Sequence, residues 1–108
     1  ILVGCVLSLS VSAQAQHTWE GDVSSDWNNA ANWDQNTVPG AADAVIINVG
    51  TPFDPTLGGN SVVGDLTINT GSNVNLNGFQ LTVSGTTANL LGGQIQNGDL
   101  LLVPVQPL

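Results

Sequence analysis

Between Val62 and Gly85 the chain reads VVGDLTINTGSNVNLNGFQLTVSG, short alternating runs of apolar and polar residues cut by Gly and Asn. Leu66 and Ile68, Val74 and Leu76, and Leu81 and Val83 each lie two residues apart. In an extended chain each pair shares one face, while Asp65, Thr67, Asn75 and Thr82 take the other. The pattern predicts a stack of short β-strands and an all-β fold. Before it, Ala44 to Val49 (AVIINV) is an unbroken apolar run, which predicts a strand buried on both faces. Gly50 to Asn60 (GTPFDPTLGGN) carries two prolines and three glycines and predicts an irregular loop projecting from the body.

The apolar pattern also returns at long range. Ile46 precedes Ile68 by 22 residues and Ile68 precedes Leu90 by 22; Val74 precedes Ile95 by 21, as Phe79 and Leu81 precede Leu100 and Leu102. A return every 21 or 22 residues, with three strand-sized pieces per period, predicts a β-solenoid of about three coils. No coil this short can bury enough apolar surface to fold alone, so the coils must stack. A local alternative survives: Asn77-Gly78 is also a good two-residue hairpin turn, which would pair Val74 with Leu81 antiparallel in a meander or sandwich.

The section from Gln16 to Ala44 is different, with all three tryptophans, Trp19, Trp27 and Trp33, and little periodicity. It predicts a cap of loops, with Ser25 or Asp26 starting a single helical turn through Ala31 and a turn at Val38-Pro39-Gly40. Ahead of it, ILVGCVLSLSVS followed by Ala13-Gln14-Ala15 has the apolar core and small residues of a signal peptide, too short to span a membrane, with cleavage expected after Ala15. Leu2-Val3-Gly4-Cys5 also fits a lipidation site at Cys5, although the residues after Cys5 remain apolar. The absence of Met and of a basic leading segment, and an end inside the apolar LLVPVQPL, read as a piece of a longer protein. The expected organisation is a leader over 1–15, a Trp-rich cap over 16–44 and stacked coils over 45–108.

Composition narrows the function classes. With 42% hydrophobic and 7% charged residues, the 108-residue chain suits one small folded domain and not a disordered one. It has no Lys or Arg against eight acidic residues, so polyanions repel it, which excludes nucleic-acid binding. One cysteine permits no internal disulfide.

The candidate chemistry is thin. Trp19, Trp27 and Trp33 could stack on sugar rings, or serve only to cover the end of the stack. Glu20, Asp22, Asp26 and Asp34 offer oxygen ligands for calcium, but their spacing matches no known calcium loop, and a solvated acidic surface explains them better. Asp54, Asp65 and Asp99 are the carboxylates a glycosidase could draw on. His17 is the sole imidazole base and stands beside the expected mature N-terminus, where mobility is expected. None of these patterns points to a catalytic residue, a cofactor or a metal. Asn69, Asn75, Asn77 and Asn97 are placed either for side-chain ladders between coils or simply for turns.

W-x-G (Trp19 to Gly21), D-W-x-x-A-x-N-W (Asp26 to Trp33), V-P-G-A-A-D-x-V-I-I (Val38 to Ile47), L-T-I-x-x-G (Leu66 to Gly71) and L-T-V-S-G (Leu81 to Gly85) occur in that order. Together they resemble the start of large secreted bacterial proteins with autotransporter-associated β-strand repeats. The resemblance implies a right-handed parallel β-helix with a Trp-rich N-terminal cap and a role at or beyond the cell surface. It carries over no catalytic residue. The function expected is an extracellular structural or adhesive module without catalysis, its partners being extracellular polysaccharide or other surface proteins. The alternative is a carbohydrate-active secreted protein whose site lies outside these residues.

Overall fold

The computed structural model describes residues 15–103; positions 1–14 of the expected leader, with Cys5, and positions 104–108 of the expected coils lie outside the described residues. The strands are β1 (Gln16–Thr18), β2 (Ala44–Ile47), β3 (Ser61–Val63), β4 (Asp65–Ile68), β5 (Asn73–Asn75), β6 (Gln80–Val83), β7 (Ala88–Leu90), β8 (Gln94–Gln96) and β9 (Asp99–Leu102). One 3₁₀ turn, Ala30–Asn32, is the helical element among them. The fold is all-β.

The strands form three sheets, ordered β1-β2-β4-β7, β3-β6-β9 and β5-β8, and every strand pair is parallel. Single parallel bridges from Asp26 to Thr56 and from Thr56 to Asn75 extend the third sheet toward the N-terminus. The chain visits the sheets in a fixed order: β2, Thr56 and β3; then β4, β5 and β6; then β7, β8 and β9. Val74 pairs with Ile95 and Leu81 with Leu100, so the hairpin alternative at Asn77-Gly78 does not form. Asn77 and Gly78 do turn the chain, with φ of 54° and 85°, but into the next sheet.

Register keeps like beside like. Val45, Leu66 and Ala88 are neighbours across the first sheet, as are Ile47, Ile68 and Leu90. Val63, Val83 and Leu102 align in the second. Val45, Ile47, Leu57, Val63, Leu66, Ile68, Val74, Leu76, Leu81 and Val83 are buried in one core cluster. Alternation along each strand, which points every second side chain inward, is what brings these columns together.

Four expectations change. Ile46 lies beside Thr67, and it is Ile47 that meets Ile68, a return of 21 residues rather than 22. Leu81 and Val83 meet Leu100 and Leu102 after 19 residues, not 21. The turn Leu76 to Phe79 separates β5 from β6 with four residues, whereas Asn97 and Gly98 alone separate β8 from β9. Turns of unequal length shift the period while the in-register ladder is kept. The run AVIINV is buried on one face only: Val45 and Ile47 point in, Ala44 and Ile46 are half-buried, and Val49 is exposed. Nor does Gly50 to Asn60 project throughout, because Pro55 and Leu57 are buried and Thr56 joins the third sheet.

Polar side chains tie successive layers outside the core. Asn69 Nδ2 donates to Asn48 Oδ1 at 2.6 Å and Asn97 Nδ2 to Asn75 Oδ1 at 3.2 Å, so two of the asparagine ladders exist. Asn77 Nδ2 instead donates to the Leu57 carbonyl. Asp65 Oδ1 accepts from the backbone N–H groups of Thr86 and Thr87, holding the following corner. Leu66→Ala, removing a fully buried side chain from the middle of a column, is expected to destabilise the chain by about 2–5 kcal/mol. On the exposed side of β3, Val62→Thr should stay within roughly 0.5 kcal/mol. Urea denaturation followed by circular dichroism separates the two outcomes.

Candidate functional site

The residues with chemical potential gather at the N-terminal end of the stack. Strand β1 is the outermost strand of the first sheet, and its inward residue His17 sits opposite Val45. The next inward residue, Trp19, donates its backbone N–H to the Ile46 carbonyl, so the column that begins with Ile47 ends beneath an indole. In the third sheet, the Trp27 backbone N–H donates to Thr56, as Leu57 donates to Asn75 and Leu76 to Gln96, which puts Trp27 at the end of that column.

Trp33 joins the ends of the first and third sheets. Its ring packs edge-on against Trp19 at 5.1 Å, Trp27 at 4.8 Å and His17 at 6.4 Å between centroids. Such T-shaped pairs set positive ring edges against negative ring faces and add stabilisation beyond the area they bury. Trp19 Nε1 donates to the Phe53 carbonyl and Trp33 Nε1 to the Trp27 carbonyl, each at 2.8 Å. Gly21, with φ of 59°, makes the first of these bonds possible, because a Cβ there would run into the Phe53 carbonyl and the Trp19 indole nitrogen.

Asn32 organises the surrounding loop and was not singled out by its sequence context. It is fully buried; its Oδ1 accepts from Val23 N and Ser24 N, and its Nδ2 donates to Ser24 Oγ and the Asp26 carbonyl. Its own carbonyl accepts from Glu20 N and Gly21 N. One amide thereby satisfies a loop that has almost no regular ladder of its own. The helical turn begins at Asn29, whose Oδ1 accepts from Ala31 N, rather than at Ser25 or Asp26.

The sequence candidates separate accordingly. Trp19, Trp27 and Trp33 are between 0% and 1% exposed, their rings packed into the core cluster. His17 is buried and fixed, not mobile, because β1 pairs along its length with β2. Its Nε2 lies 2.9 Å from Thr37 Oγ1, while Nδ1 has no hydrogen-bond partner and faces Asp43 Oδ2 at 3.9 Å. This polar group pins the 34–43 loop against the stack.

The acidic residues do not converge. Among the described residues no three of His, Cys, Asp and Glu come together as a metal site. Asp26 Oδ1 accepts from Asn28 N, and Asp34 Oδ1 accepts from Thr18 N, capping the outer edge of β1; Glu20 and Asp22 are exposed. Asp54 lies in a loop, Asp65 on the first sheet and Asp99 on the second, with no facing pair of the kind glycoside hydrolysis needs.

Among the described residues β7, β8 and β9 each have a partner on one side only, and Leu90, Leu91, Leu101, Leu102 and Val103 are exposed. A groove of about 320 Å³ runs there between Val83, Ala88 and Leu102, past Gly85 to Thr87. It contains no ionisable side chain. No helix is long and apolar enough to cross a membrane among the described residues.

These features define an all-β protein of parallel sheets, with indoles packed at its N-terminal end and, among the described residues, bare strand edges at the other. Its sequence belongs to the DUF8693 family, described as a domain of unknown function, matching it over residues 18–100, a span that takes in the tryptophan-sealed end and nearly every strand. No curated protein and no solved structure matches the chain.

Trp33→Ala should cost about 3–5 kcal/mol, since one ring supports both other indoles and His17. Asn32→Ala strands buried N–H groups and should cost at least about 1–3 kcal/mol. Urea titrations of the two variants measure both losses. Near-ultraviolet circular dichroism should lose its indole signal in Trp33→Ala first.

Proposed function

We propose that the chain is a non-catalytic structural or adhesive module of the bacterial cell surface, built as a right-handed parallel β-helix of about three coils. The observation that carries this reading is the set of continuous inward columns, running from the indole seal through each circuit. In this reading the three sheets are the walls of the helix, each circuit of strands is one coil, and the Trp-rich section is its cap. The ordered likeness to secreted autotransporter-associated repeats supplies the handedness and the surface location. Residues 1–15 act as the export signal, and extracellular polysaccharide or other surface proteins are the partners.

Outward positions suit such a role. Thr67, Thr82, Asn73, Asn75 and Gln94 are short or amide-bearing residues in regular rows, which favour solvent or a broad weak contact over a pocket. The same rows of amides and hydroxyls support the second reading, a carbohydrate-binding or carbohydrate-active protein whose main site lies outside these residues.

Two measurements test these readings. Fusing residues 1–108 to alkaline phosphatase, which is active only outside the bacterial cytoplasm, should give activity that deletion of 1–15 abolishes; activity unchanged by the deletion defeats the export signal. Purified chain starting at Gln16 should cleave none of a panel of extracellular polysaccharides. Cleavage of any of them defeats the non-catalytic reading.

A further inference from the structure

His17 is the only side chain of this protein that can carry a positive charge near neutral pH, since the chain has one histidine and no Lys or Arg against eight acidic residues. It points inward from β1 with 4% of its surface exposed, opposite Val45 of β2 and with its ring edge-on to Trp33. Nε2 lies 2.9 Å from Thr37 Oγ1, while Nδ1 is a buried polar atom with no hydrogen-bond partner among the described residues. Leaving such an atom unpaired is costly, and this one is aimed at a carboxylate, that of Asp43.

Thr37 and Asp43 stand at the two ends of one loop, and the imidazole lies between them. Asp43 Oδ2 accepts from Gly40 N at 2.7 Å, Asp43 N donates to the Gly40 carbonyl, and the Asp43 carbonyl accepts from Gly64 N. Asp43 therefore closes the turn over 40–43 and ties it to the next layer. Its Oδ2 is 3.9 Å from His17 Nδ1, about one ångström beyond a hydrogen bond. The other carboxylate beside β1, that of Asp34, accepts from Thr18 N on the outer edge of the strand, and Val45 and Trp33 bring no charge to the ring.

We propose that His17 and Asp43 form a proton-operated clasp that fastens the 37–43 loop to β1. A neutral imidazole has a single N–H, so one ring nitrogen is a bare acceptor. With that N–H on Nε2 and donated to Thr37, Nδ1 sets its lone pair against a carboxylate oxygen. A proton taken up from solvent makes both nitrogens donors: Nε2 keeps Thr37, and Nδ1 gains Asp43 Oδ2 in a charge-assisted bond. A shift of the turn by about one ångström closes the gap. No other side-chain cation competes for Asp43, because the chain holds none. The clasp engages on the acid side of the range in which an imidazole changes charge, about pH 5 to 8, and releases on the alkaline side. It goes beyond the surface role proposed above and rests on no part of it.

The test uses the 108-residue chain, whose single imidazole gives one set of ring signals in a nuclear magnetic resonance spectrum. Between about pH 8 and pH 5 those signals should titrate, and the amide signals of Gly40 and Asp43 should move with the same midpoint. Hydrogen exchange at the Gly64 amide, held by the Asp43 carbonyl, should slow on protonation once the intrinsic pH dependence of exchange is removed. The slowing expected is roughly two- to tenfold, the factor for one hydrogen bond gained. Asp43→Asn keeps an oxygen for Gly40 N but no charge, and should abolish both the shared midpoint and the slowing. His17→Gln, with nothing to titrate, should abolish the slowing as well, and the measurements on the unmodified chain decide the matter even if neither variant folds. An imidazole that stays neutral throughout, loop exchange that is unchanged or faster on protonation, or the same slowing in either variant overturns the proposal.

Discussion

Each circuit of this chain buries its apolar side chains only because another circuit lies against it in register. The strands are three or four residues long and too short to hold a sheet on local contacts alone. Parallel pairing at a spacing of 19 to 22 residues places valine beside leucine beside alanine, and isoleucine beside isoleucine beside leucine, while the backbone N–H and C=O groups find partners one layer away. The corner bonds, from asparagine to asparagine and from Asp65 to Thr86 and Thr87, follow the same layer-to-layer direction. Register is the constraint from which the core and the ladders both derive.

A stack of this kind has ends, and an end exposes both apolar columns and unpaired strand edges. At the N-terminal end the first sheet meets both problems together. Three indoles and an imidazole close the columns, and Asp34 Oδ1 accepts from Thr18 N on the outer edge of β1. Asn32 satisfies the loop that carries two of those indoles. At the other end the leucines of β7 and β9 are exposed, and the edges are bare among the described residues. Chemistry-bearing residues at the N-terminal end are consumed by packing, and the outer walls mix short polar side chains such as Thr67 and Thr82 with exposed apolar ones such as Val62 and Leu101.

The all-β class and the layer-to-layer return were legible in the sequence, because alternation marks each strand and apolar positions recur at long range. Register was legible to within one or two residues. Spacing sets Val74 against Ile95, as the structure does, but also Ile46 against Ile68 and Leu81 against Leu102, since spacing alone cannot measure how many residues a corner absorbs. The tryptophans were recognisable as a cap or as sugar platforms, and nothing in their spacing could choose. Asn32 and the fixed position of His17 were invisible, because both depend on what the chain does some distance away.

The sequence by itself determined which residues could face a core and where the chain could turn, since those depend on side-chain polarity, alternation and the backbone freedom of Gly and Asn. The tertiary structure decided which strands became neighbours, that Asn77-Gly78 leads into the next sheet and closes no hairpin, and that the indoles face inward. Those outcomes depend on burial shared between layers, and no window of local sequence contains the second layer.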